Sequence, residues 1–155
     1  MRTAMKKFVY PMQSILNIKN KLEEQEKNNY GIAKAKLIEE EHKLMELVER
    51  KDSYEFQIKE AMSSTLNIAN IRRLEDAIES MKQFIKQQTK AVVKAEQAVE
   101  LAMQRLKSAM IERKTHDKLR ENAFDSYLKE YAGEEMKEID ELVSFQYGKK
   151  AKEIV

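Results

Sequence analysis

The chain has no cysteine and no tryptophan, and only one proline and three glycines among its 155 residues. Without cysteine there is neither a disulfide nor a thiolate metal ligand, a composition compatible with a reducing cytoplasm. With so few turn-forming residues, a globular core of short elements joined by tight loops is excluded. No uninterrupted apolar run approaches the roughly 18 residues needed to span a bilayer. The opening stretch from Met1 to Met12 is basic but has no apolar signal-peptide core. An excess of charge of either sign is also missing. Lysine plus arginine number 29 against 27 acidic residues, a net charge of +2 that gives no general reason to bind nucleic acid or an anionic membrane.

What is abundant is charge of both signs, at 36%, set among 42% hydrophobic residues. That mixture predicts an all-α protein of long helices laced with surface ion pairs. Pro11 lacks an amide hydrogen and suits a first helical turn, so a helix is expected to begin near Tyr10 to Met12. Apolar side chains then recur every three or four residues to about Met62, where Ser63, Ser64, Thr65, Asn67 and Asn70 crowd together. Their short polar side chains compete with helical hydrogen bonds and make good N-caps, which marks a hairpin turn. The expected organisation is a single coiled-coil hairpin over residues 1–155: helix one at about 11–62, the turn at about 63–69 and helix two at about 70–147.

The second helix carries the clearest signal. Ile71, Leu74, Ile78, Met81, Ile85, Gln88, Val92, Ala95, Val99, Ala102, Leu106 and Ala109 alternate spacings of three and four without a break, which is a heptad seam. Its alternate positions shrink towards alanine, so larger residues must lie opposite. Antiparallel pairing of positions whose numbers sum to about 132 supplies them within one chain, setting Ile58 against Leu74, Tyr54 against Ile78, Leu47 against Ile85, Leu37 against Ala95 and Tyr30 against Ala102. Lys82, Lys86, Lys90 and Lys94 recur every four residues with no acidic residue between Ser80 and Ala95. The same register brings them near Glu39, Glu40, Glu41, Glu46 and Glu49, which predicts cross-helix ion pairs; a parallel homodimer would set the lysines against themselves.

At 1.5 Å per residue, helix two is expected to reach near 120 Å and helix one roughly 75 Å, leaving an overhang from about His116 onward. Arg113, His116 and Arg120 occupy its seam and Gly133 weakens it. Yet the overhang carries Phe124, Tyr127, Leu128, Tyr131, Met136, Ile139, Leu142, Val143, Phe145 and Tyr147, an apolar stripe that calls for a partner.

Two packed helices offer no pocket for convergent polar groups, so no catalytic residue, cofactor or metal site is predicted. His42 and His116 lie on different helices without the i, i+4 spacing of a metal pair and are expected to be solvated. Gly31, Gly133 and Gly148 form no phosphate loop. Gly148 suits a C-cap, with Lys149 and Lys150 at the helix's negative end. Arg2, Lys6 and Lys7 suit a solvated basic tail, and the nine methionines suit irregular packing.

The N-terminal run Met5-Lys-Lys-Phe8-Val-Tyr10-Pro-Met12-Gln13-Ser-Ile15-Leu16-Asn-Ile18-Lys19, followed by Leu22-Glu-Glu-Gln-Glu, resembles the opening of the FliJ family of flagellar export proteins. Glu112-Arg-Lys-Thr-His-Asp-Lys-Leu119 and Met136-Lys-Glu-Ile-Asp-Glu-Leu-Val143 resemble later stretches of that family. The resemblance implies a cytoplasmic, non-catalytic stalk of the flagellar type III export apparatus, peripheral at the inner face of the membrane and monomeric when free. It implies three partners: the hexameric export ATPase, the cytoplasmic domain of the export gate protein, and export chaperones. On it rest a candidate ATPase-binding set of Phe8, Tyr10, Ile15, Ile18, Phe124, Tyr127 and Tyr131, and a candidate gate-binding set of Leu47, Tyr54, Leu74, Ala77 and Met81. Leu47, Tyr54, Leu74 and Met81 equally satisfy the seam, Ala77 is expected to face away from it, and Asn70 stands where some relatives have an aromatic. Two alternatives stay open: a generic coiled-coil spacer, such as a homodimer, and the equivalent stalk of a virulence secretion system.

Overall fold

Long stretches rich in Ala, Leu, Glu and Lys, uninterrupted by proline after Pro11, favour helix at nearly every position. The structure, a computed structural model, describes residues 7–154, with side chains through Lys149. Two helices make up the fold, α1 (Gln13–Ser63) and α2 (Ile68–Ile154), of 51 and 87 residues. They form an antiparallel coiled-coil hairpin with the second helix the longer. Arg2, Lys6 and the Met5 start of the family motif lie outside the described residues, as does the side chain of Lys150.

Pro11 sits in a turn just before α1, not in its first helical turn. The Gln13 amide donates to the Tyr10 carbonyl and the Leu16 amide to the Met12 carbonyl, each at 3.1 Å. At the hairpin, Ser63 Oγ donates back to the carbonyl of Glu60 at 3.0 Å, satisfying an otherwise orphaned acceptor at the end of α1. Asn67 caps α2: its Oδ1 accepts from the Asn70 amide at 3.2 Å, and its carbonyl from the Ile71 amide. The turn is therefore shorter than the sequence suggests, and α2 begins two residues earlier. At its far end α2 runs through Gly148 to Ile154, so Gly148 is not a C-cap; nothing lies within 4 Å of where its Cβ would be, and the helix passes through it unstrained.

Contacts group the chain into two compact units, one of Glu23–Ala109 and one of Met1–Leu22 with Met110–Val155. In the Glu23–Ala109 unit the heptad seam is the core. Leu74, Met81, Val92, Ala95, Ala102 and Leu106 are buried, and Tyr30, Ala33, Leu37, Leu44, Leu47, Tyr54 and Ile58 are half-buried on the α1 side. A polar layer interrupts it. Gln88 Nε2 donates to the Glu40 carbonyl at 2.9 Å and to the carboxylate of Glu40, a residue only 7% exposed, which also receives Lys36 at 2.9 Å and Lys43 at 3.7 Å. Lys36 and Lys43 belong to the same helix as Glu40, so a slipped register would cost this layer the two Gln88 hydrogen bonds, the part of it that ties one helix to the other.

The cross-helix ion pairs predicted for the lysine row are absent among the described residues. The glutamates bond within their own helix instead: Glu39 to Lys43, Glu40 to Lys36, and Glu46 to His42 Nδ1 at 3.3 Å. Lys82 reaches only its own helix, Glu79 at 3.9 Å. The reason is geometric. A row stepping by four residues drifts away from a seam stepping by three and a half, so Lys86, Lys90 and Lys94 end on the outer side of α2.

In the other unit, pairing does not stop near His116 as the sequence predicts. Leu16 is 3% exposed and Tyr10 9%. Lys19 Nζ bonds Glu112 at 2.9 Å, Arg120 Nε donates to Gln13 Oε1 at 2.9 Å, and the irregular segment before Pro11 carries Phe8 onto Phe124. Beyond Tyr131 the large apolar side chains of α2 are exposed. His116 also departs from expectation: it lies on the continued seam, half-buried, with Nδ1 shielded and without a hydrogen-bond partner.

Candidate protein-binding surfaces

Residues of the predicted ATPase-binding set all fall in the unit of Met1–Leu22 and Met110–Val155. Four of them converge. Phe8 meets Phe124 edge-to-face with ring centroids 5.1 Å apart and Tyr127 at 5.3 Å; Phe124 stacks on Tyr127 at 6.2 Å, and Tyr127 continues to Tyr131 at 6.4 Å. The Arg120 guanidinium lies 5.9 Å from the centroid of Phe8. Such aromatic pairs add roughly 0.5–1.5 kcal/mol each beyond the area they bury. This cluster holds the N-terminal segment to α2 and still presents ring surface to solvent, since Phe124 and Tyr131 are exposed. Tyr10 is buried and Ile15 half-buried, while Ile18 points outward at 55% exposure. Beyond the cluster, Met136, Ile139, Leu142, Val143, Phe145 and Tyr147 are all exposed on α2.

The gate-binding set lies wholly in the other unit. Leu74 and Met81 are buried, whereas Leu47, Tyr54 and Ala77 are half-buried. Ala77 therefore flanks the seam and does not face fully away from it. Asn70 is occupied at the cap: its Oδ1 accepts from Arg73 at 2.7 Å. Sequence reasoning passed over Phe56, 60% exposed, and Phe84, 49% exposed, in this unit. Both lie off the heptad, and an aromatic off the heptad of a two-helix coil was the available signal.

Charge shapes both units. Hydrogen bonds from Lys36 and Gln88 hold the Glu40 carboxyl below the ordinary carboxylate range, and Glu40 in turn raises Lys36. Lys19 lowers Glu112 in the same way. Among the described residues no group of three His, Cys, Asp or Glu is arranged to hold a metal ion, and no helix is long and apolar enough to cross a membrane.

These features define an antiparallel two-helix coiled coil. Within that class the chain belongs to the flagellar FliJ protein family, which matches it over residues 7–152. No curated protein matches it. Among solved structures, a Chlamydia trachomatis protein described as a YscO homolog has a similar fold, with a TM-score of 0.69 at 20% identity, over 91% of this chain and 96% of that one.

Proposed function

We propose that the chain is the non-catalytic stalk of the flagellar type III export apparatus, needed for motility, and that it binds and stimulates the hexameric export ATPase. The observation that carries this reading is the aromatic cluster. Phe8 comes from one end of the sequence and Phe124, Tyr127 and Tyr131 from near the other, and the fold gathers them beside an uncovered apolar stretch of α2. A single asymmetric helix pair inside a six-fold ring contacts the subunits unequally, so its binding favours one nucleotide state at a time. Membership of the flagellar family favours this role over the corresponding stalk of a virulence system.

In the same reading, the half-buried Leu47, Tyr54 and Ala77 contribute to contact with the cytoplasmic domain of the export gate protein, and Leu74 and Met81 support them from beneath. Export chaperones are the third partner. The free chain is monomeric, resides in the cytoplasm and reaches the inner face of the membrane only through the apparatus.

The test uses the full chain with Ile18→Asp and Tyr131→Asp, exposed positions whose change leaves helicity intact. Stimulation of the purified export ATPase falls sharply; unchanged stimulation removes this surface from the mechanism. Ala77→Glu weakens binding to the gate domain, and retained binding overturns that assignment.

A further inference from the structure

Among the described residues, some lysines of the Glu23–Ala109 unit meet a carboxylate and others, Lys34, Lys59 and Lys107 among them, do not; Lys86, Lys90 and Lys94 are set apart by recurring every four residues along one helix. Lys27, Lys36, Lys43 and Lys51 each meet a carboxylate within one helical turn, at 2.9 to 3.7 Å. Lys86, Lys90 and Lys94 meet none among the described residues, and no Asp or Glu occurs from Met81 to Ala95 to supply one. All three are exposed. Successive ammonium groups at i, i+4 repel one another, so leaving them unneutralised is a standing cost to the free helix.

At 100° per residue the three lysines lie within one sector of the outer face of α2, together with Gln83, Gln97 and two exposed apolar side chains, Val93 at 45% and Leu101 at 49%. The face is bounded. Asp76 and Glu79 lie in the same sector about three and two turns before Lys86, and Glu100 lies on its flank at the other end.

We propose that this face docks an acidic α-helical segment of a partner protein, with carboxylates at i, i+4 spacing and small apolar side chains that cover Val93 and Leu101. Charge complementarity selects the sign, and the repeat of about 6 Å along the row matches the same repeat on a facing helix. The acidic boundary selects the size: a membrane surface or a nucleic-acid duplex extends beyond the row and meets Asp76 and Glu79, whereas a segment of three to four turns does not. The site is separate from the aromatic cluster and from the gate-binding set, and the proposal holds whichever apparatus the chain serves.

The experiment titrates full-length protein into a fluorescent helical peptide of about 14 residues bearing glutamate at every fourth position. The expected result is saturable binding that weakens as ionic strength rises from about 0.01 to about 0.15 M. The glutamine version of the peptide and the K86Q/K90Q/K94Q variant each bind about tenfold more weakly, the sum of three modest exposed ion pairs. Circular dichroism of the variant matches the parent. Equal binding by parent and variant overturns the proposal. So does tighter, lysine-dependent binding of duplex DNA or phosphatidylglycerol vesicles than of the peptide, or a lysine-dependent dimer of the protein alone, which assigns the face to a second copy.

Discussion

The two units bury their seams by different means. In Glu23–Ala109 six apolar side chains of α2 are buried in heptad order around one polar layer, whereas among the described residues of the other unit only Tyr10 and Leu16 reach that depth and rings and ion pairs do the rest. Aliphatic knobs in holes are non-directional, and their stabilisation scales with area. Contacts such as Phe8 on Phe124, Lys19 to Glu112 and Arg120 to Gln13 are directional and half-solvated, so each contributes less and yields more easily. The first arrangement suits a scaffold. The second suits a region that remakes its contacts when a partner arrives.

The largest expected effect tests the scaffold. Leu74→Ala empties a site that is 6% exposed and costs about 3 kcal/mol in urea or thermal melts, while Ile139→Ala, 56% exposed, changes stability by no more than about 0.5 kcal/mol. If the two substitutions cost the same, the contrast between the units fails. Next comes Phe8→Ala, which removes two ring contacts and costs about 1.5 kcal/mol, read by hydrogen exchange as faster opening of the first turns of α1 with protection in Glu23–Ala109 unchanged.

Asn67→Ala deletes the cap of α2 and costs about 1 kcal/mol. Gly133→Ala acts in the opposite direction: with nothing within 4 Å of the new Cβ, it adds about 0.5 to 1 kcal/mol of helix stability and raises helicity measured by circular dichroism. The smallest effect is a pH dependence. Glu40 and Glu112 have lowered values, so their contribution is complete above the ordinary carboxylate range and is lost as pH falls through the depressed values. Lys36 is raised, so its contribution is complete below the ordinary lysine range and fades as pH climbs through the elevated value. Glu40→Gln flattens the acid limb of the melting profile, and a variant with an unaltered acid limb shows that Glu40 does not set it.

Much of this was legible in the sequence. An unbroken alternation of threes and fours from Ile71 to Ala109 admits one kind of packing, and the side chains shielded on both helices are those the antiparallel pairing selects. The single polar member of that run, Gln88, becomes the partner of Glu40 in the fold. Ion-pair partners were misread because neighbouring glutamates on α1 find lysines one turn away on the same helix before they reach across. The aromatic cluster was named residue by residue as candidate surface but not as a contact. Phe8 precedes the helix and obeys no heptad, so periodicity says nothing about where its ring goes.

Composition and spacing alone determined that the chain is helical, that it doubles back near Asn67, and which side chains form the seam, because these follow from local propensity and from a period that repeats along the chain. Only the tertiary structure decided how far the N-terminal segment accompanies α2, that His116 is shielded, and that Lys86, Lys90 and Lys94 go unanswered. Those outcomes depend on which of several nearby groups each side chain meets in space, and a linear pattern does not contain that choice.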